Sequence, residues 1–203
     1  MIEAVMHAVV LAFGLILPLG VQNVFVFQQG AYQRSYWRAL PVVLTACLCD
    51  TLLITFAVTG VSVLVLTSPL FKVILLSVGV VFLLYMGWIT WKSKSNNASE
   101  QTEAFSFKRQ VIFAASVSLL NPHAIMDTIG VIGVSSLQYS GLEKVAFSVA
   151  CICVSWIWFA SLALAGRVFG RIDSSGKLMV LLNKISAVIM WGVAIYLAKS
   201  MFS

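Results

Sequence analysis

Six apolar stretches constrain this chain more than anything else in it: roughly residues 3–27, 39–66, 71–91, 111–137, 145–166 and 178–199. Each is long enough to cross about 30 Å of hydrocarbon at roughly 1.5 Å per residue. Inside that layer the backbone must satisfy its own hydrogen bonds, so each stretch is expected to be a helix. The 203 residues are 61% hydrophobic and 10% charged, too little polar surface to coat a soluble core. The expected fold is therefore all-α: a polytopic membrane protein of six transmembrane helices. The first stretch lacks a basic leader and is followed by more spans, so it reads as a helix and not as a cleaved signal peptide.

The net charge of +6 invites a nucleic-acid reading, but the placement of the charges argues for topology instead. Nine of the thirteen Lys and Arg residues fall in the odd-numbered connections: Arg34, Arg38, Lys92, Lys94, Lys108, Arg109, Arg167, Arg171 and Lys177. The even-numbered connections hold Lys72 and Lys144. Basic loops stay in the cytoplasm, which predicts both termini outside and no nucleic-acid partner. Lys184 lies close enough to the basic end of the last span to extend its ammonium to the interface. Trp37, Trp88, Trp91 and Tyr36 read as interfacial anchors.

A polar linker, 93–107, divides the chain into similar halves, giving repeat one over 1–92, a cytoplasmic linker over 93–110 and repeat two over 111–203 of a single transporter domain. The halves echo each other at an offset of 104 residues. Pro18 matches Pro122, Cys47 and Cys49 match Cys151 and Cys153, and Met86 matches Met190. Three spans per half is an odd number, so the second copy enters the membrane upside-down, as in the inverted repeats of many transporters. In such folds the site lies near the midplane, where broken helices leave backbone groups facing a wet cavity. The breaks expected here are Pro18-Leu19-Gly20 in the first helix and Asn121-Pro122 in the fourth.

Two carboxylates, Asp50 and Asp127, lie within the hydrophobic stretches. Holding an ionised acid in hydrocarbon is costly unless it is paired or wet, so each marks a candidate site for a cation or a proton. Either could instead be a structural acid bonded to a neighbouring helix. His123 stands one helical turn before Asp127 and could relay protons, touch substrate or orient the proline break. Gln22 and Asn23 follow the first break and could hold the polar ends of an amino acid, or bond between helices. At the 104 offset Asn23 pairs with Asp127, whereas Asp50 pairs with Val154, so the frame is symmetric and its chemistry is not. Thr51, Thr55 and Thr59 form a stripe better suited to helix packing than to binding.

The four cysteines suggest a rival, a membrane thiol-disulfide relay. Residues i and i+2 on a helix point about 200° apart, so neither Cys-x-Cys pair can close on itself. No metal-ligand spacing accompanies them, and no cofactor or resident metal is expected.

The motif Ile16-Leu17-Pro18-Leu19-Gly20-Val21-Gln22-Asn23, the pair Cys49-Asp50, and Leu120-Asn121-Pro122-His123 followed by Asp127-Thr128 together resemble the lysine exporter (LysE) family. The Asn-Pro-His form with its trailing Asp is similar to the basic amino acid branch. The resemblance runs along the whole chain, through Trp158, Asn183 and Met190-Trp191. One departure is Val21, where the family usually has a second proline; a milder break is expected there. The resemblance implies no enzyme but an exporter of L-arginine or L-lysine in a plasma or inner membrane, driven by a proton gradient or the membrane potential. It implies a substrate site of Asp50, Asp127, Gln22, Asn23, Asn121 and His123, lined by Pro18, Gly20 and Pro122, with Asp50, Asp127 and His123 as proton-coupling candidates. Its partners would be the amino acid, protons and the bilayer, with self-association left open. The rival cargoes on the same fold are neutral amino acids and a divalent metal cation.

Overall fold

In the computed structural model the described residues are 1–17, 20–60, 105–120, 128–172 and 177–200, with 124, 125 and scattered positions between 73 and 92. They form six α-helices of twelve residues or more, and no strand occurs among them. These are α1 (Ile2–Ile16), α2 (Val21–Tyr32), α3 (Tyr36–Val58), α4 (Phe107–Leu119), α5 (Gly141–Ile172) and α6 (Lys177–Ser200). The scattered positions between 73 and 92 are helical as well. Most of the expected third span lies outside the described residues.

The first apolar stretch is two helices. α1 ends at Ile16, and α2 starts at Val21 after Gly20, the two axes meeting at 79°. Gly20 is extended and ends helical geometry just before Val21. The fourth stretch is also divided. α4 stops at Leu119, and a π-helical turn, Thr128–Gly133, leads into one α-turn, Val134–Ser136.

By length and composition α3 and Gly141–Arg171 of α5 are each apolar enough to cross a membrane, and α1 with α2 qualifies as one bent span. The packing is that of a membrane protein, with small residues inside and large apolar ones outside. Ala4, Ala8 and Ala12 turn one face of α1 inward, while Ile2, Met6 and Val10 lie exposed. On α3 the stripe Leu44, Leu48, Leu52 and Phe56 is exposed, against buried Ala39, Val42 and Ala46. In water such faces would aggregate; in lipid they are solvated.

α5 is the hub and packs on α1, α2 and α3. Its contact with α2 is backbone to backbone. A Cβ added at Gly166 would collide with the Phe27 carbonyl, and one at Gly30 with the Ala163 carbonyl. At Gly170 the added carbon would come within 2.7 Å of the Ala31 oxygen. Small residues every three or four positions permit this approach, which maximises dispersion contact where lipid supplies no hydrophobic drive. α1 meets the start of α5, where the N-terminal ammonium pairs with Glu143 and His7 Nδ1 lies 2.9 Å from the Tyr139 hydroxyl. The basic residues Arg34, Arg38, Lys108 and Arg109 gather at the other end of the bundle, at the close of α2 and the starts of α3 and α4.

Candidate functional site

Asp50 lies on α3, about 21 Å along the helix from Tyr36 and about 12 Å from Val58 at roughly 1.5 Å per residue. It is half-buried. Gln22, in the first turn of α2 and 8% exposed, donates from Nε2 to Asp50 Oδ1 at 3.3 Å. Ser155 on α5, 5% exposed, places its hydroxyl beside the same carboxylate. Polar groups from two other helices thus face one acid, which is what an acid held inside a membrane requires.

The break before α2 supplies the frame. Where α1 ends, the Ile16 carbonyl has lost its helical partner, and Asn23 Nδ2 donates to it at 2.7 Å. Asn23 Oδ1 accepts from Trp158 Nε1 of α5 at 3.2 Å. Asn23 therefore ties the broken end of α1 to α5, while Gln22, one residue earlier, faces the acid. A second indole, Trp156 Nε1, donates to Thr51 Oγ1 at 3.1 Å. The threonine stripe is otherwise self-contained: Thr51, Thr55 and Thr59 each donate to the carbonyl four residues back, at 2.7, 2.7 and 2.8 Å.

Of the residues expected at the site, the structure brings together Asp50 and Gln22, with Asn23 and Gly20 beside them. Pro18, Asn121, Pro122, His123 and Asp127 lie outside the described residues. Ile125 and Ile129, which flank Asp127 in sequence, are buried with Ala57 of α3, and Leu53 packs on them. A π-helical segment opens one residue after Asp127. Such segments widen the helix by one residue per turn and occur frequently at functional sites.

Ser155 and Trp156 are additions that the sequence reading did not single out. The signal was there: Ser155 stands 104 residues after Thr51 and next to Val154, the twin of Asp50. All four cysteines are free thiols, with Cys47, Cys49 and Cys151 buried and Cys153 exposed. Among the described residues no three His, Cys, Asp or Glu side chains gather as metal ligands would. Lys184 holds its ammonium 5.7 Å from the Trp91 ring, a cation–π contact.

The chain matches the model of the LysE type translocator over residues 13–201. It is 61% identical over 200 residues to the "Putative amino-acid transporter YisU" of Bacillus subtilis (strain 168), covering 98% of this chain and 91% of that protein. It is 33% identical to the arginine exporter protein ArgO of Pectobacterium carotovorum, with 98% of each chain covered. The ArgO of Salmonella typhi is 34% identical over 98% of this chain and 95% of its own. No solved structure matches. A match across nearly the whole length, with relatives aligned end to end above 30% identity, places the chain in the LysE family of translocators.

Proposed function

We propose that this protein exports basic amino acids, L-arginine or L-lysine, from the cytoplasm. The observation that carries the reading is the acid at the crossing of α2, α3 and α5: Asp50 accepts from Gln22, on a helix that starts beside it, with the Ser155 hydroxyl of a third helix nearby. A half-buried carboxylate with uncharged polar neighbours holds a net negative charge, and a cationic cargo completes it better than a neutral one. Relatives named arginine exporters, aligned over almost the entire chain, support the same cargo.

In this reading one of Asp50 and Asp127 holds the side-chain cation and the other the α-ammonium or a counter-transported proton. The packing of Ile125 and Ile129 near Leu53 and Ala57 supports Asp127 approaching the helix that bears Asp50. Gln22, Asn121 and His123 contact the polar groups of the substrate, with Asn23 bracing the wall through Ile16 and Trp158. Helix N-termini at the two breaks, with their positive dipole ends, suit the carboxylate. The protein crosses an inner or plasma membrane six times as two inverted repeats with both termini outside. Alternating access between the repeats exposes the site to either side, driven by the proton gradient or the membrane potential.

The test is efflux of preloaded labelled arginine and lysine from cells lacking their own exporter. The native chain is compared with Asp50→Asn and Asp127→Asn at matched membrane levels. Efflux that either substitution abolishes supports cargo and acid site together. No efflux above the empty control, with the protein in the membrane, overturns the basic-cargo reading and redirects the search to neutral amino acids and metal cations.

A further inference from the structure

At the basic end of the bundle, three buried glutamines converge on the turn that leads into α4. Gln29, Gln33 and Gln110 are 3%, 7% and 2% exposed. Gln33 Nε2, at the close of α2, donates to the Phe105 carbonyl at 2.9 Å and to Gln29 Oε1 at 3.3 Å. Gln110 Nε2, in the first turns of α4, donates to the same Phe105 carbonyl at 2.8 Å and to the Arg38 carbonyl of α3 at 3.0 Å. One backbone carbonyl thus joins α2 to α4, and one amide joins α4 to α3. These bonds run between the first half of the sequence and the second.

Beneath the amides lies an aromatic plug. The Phe105 ring sits 5.7 Å from Phe25 and 5.6 Å from Phe113, and those two rings are 4.1 Å apart. Phe25 is one turn from Gln22 on α2, so the plug lies between the Asp50 crossing and the basic end. A solute moving between α2, α3 and α4 toward Asp50 from that end meets these rings first.

Gln110 adds a second, independent observation. Its Nε2 is fixed by two carbonyls, which settles the orientation of the amide, and its Oε1 is buried with no hydrogen-bond partner. A buried acceptor left unmade costs free energy that hydration returns. A purely structural clasp gains nothing from that cost; one that must release is helped by it.

We infer that Phe105, clamped by Gln33 and Gln110 over Phe25 and Phe113, is the gate on the basic side of the site. The two amides are its latch. Opening swings Phe105 off the ring pair, wets Gln110 and connects Asp50 to the basic side. The register offers no counterpart: 104 residues from Gln29 and Gln33 stand Gly133 and Leu137, so the opposite end is closed by different means. The inference rests on the transport reading for what passes through, and on geometry alone for where passage is stopped.

The test uses the full chain in membrane vesicles with Ala114→Cys as reporter, since Ala114 is 1% exposed in the cluster beneath Phe105. Labelling by a membrane-impermeant maleimide is measured from each side, in inside-out and right-side-out vesicles, over the background of the native cysteines. Gln33→Leu and Gln110→Leu together should raise labelling at least fivefold from the side that the basic loops face. A control reporter at the far end, Ala8→Cys, should not change. Unchanged labelling at position 114 overturns the gate. A rise at both reporters also overturns it, because the amides would then be holding the fold together. A second arm places Gln33→Cys with Ser106→Cys, which leaves the Phe105 ring in place, and closes them with a reducible bifunctional thiol reagent. Labelling at 114 should then fall below that of the unlinked protein and recover on reduction; no fall overturns the gate. Neither arm uses the cargo, so an error in the basic amino acid assignment leaves both readouts intact.

Discussion

α3 and α5 carry Cys-x-Cys pairs 104 residues apart in the sequence and pack against each other, yet they carry opposite chemistry. α3 holds the acceptor, Asp50. α5 has a buried valine at the corresponding Val154 and offers uncharged polar groups instead: Ser155 lies beside Asp50, Trp156 donates to Thr51 and Trp158 to Asn23. Both turn large apolar residues outward, Leu44, Leu48 and Leu52 on α3 and Val149, Ile157 and Leu164 on α5, but α5 alone uses Ala163, Gly166 and Gly170 to bring its backbone against α2. The labour is divided between them: one helix carries the charge and the other surrounds it with uncharged polar groups.

The largest break in this comparison is to remove the charge. Asp50→Asn is expected to lower basic amino acid efflux about 100-fold, the loss of one charge-assisted contact of roughly 3 kcal/mol. Moving the acid to its twin, with Asp50→Val and Val154→Asp, should leave efflux equally low, because Val154 packs in the apolar cluster with Ala8 and Phe147. Restored efflux in that double variant would show the twins to be interchangeable and sink the division of labour.

A smaller effect is expected from the packing side of α5. Gly166→Leu forces α5 off the Phe27 carbonyl and should cost about 1–3 kcal/mol or more, read as a lower melting midpoint in detergent. Gly192→Leu is the matched control, since nothing lies within 4 Å of a Cβ there. Equal destabilisation by both would mean that the α2–α5 contact is not special.

Next come the donors. Ser155→Ala should weaken efflux roughly three- to tenfold, the range for about 0.6–1.5 kcal/mol of hydrogen bonding inside a membrane. Thr51→Val should do less, because its hydroxyl already donates to the Cys47 carbonyl. If Thr51→Val proved the more damaging, the donor role would belong to the Thr51–Trp156 pair. The smallest expected effect is that of Cys153→Ser, which removes the one exposed thiol and should leave efflux and stability within about 0.5 kcal/mol of the native chain. Lost efflux there would revive the thiol relay.

Much of this was legible in the sequence because a bilayer allows few solutions. Apolar length announced helices, and Pro18-Leu19-Gly20 and Asn121-Pro122 stand where the described helices stop. Asp50 stood out because an acid among apolar neighbours needs a partner. What could not be read was which partner. Gln22 is separated from Asp50 by 28 residues, and their meeting depends on how α2 leaves the break. Ser155 looked like any hydroxyl in a long helix until the repeat register put it beside the acid. The π-helical turn Thr128–Gly133, which packs against α3, has no compositional mark in the sequence. Gln29, Gln33 and Gln110 bear no mark in the sequence; only the fold shows them buried.

The glycine-lined crossing of α2 and α5 also bears on how the machine can bend. Backbones in direct contact leave no side-chain layer to slide over, and so shear between those two helices is blocked. α2 lies in the first half of the sequence and α5 in the second. They form a keel common to both halves, so movement of one half against the other would turn about this crossing and not slide along it.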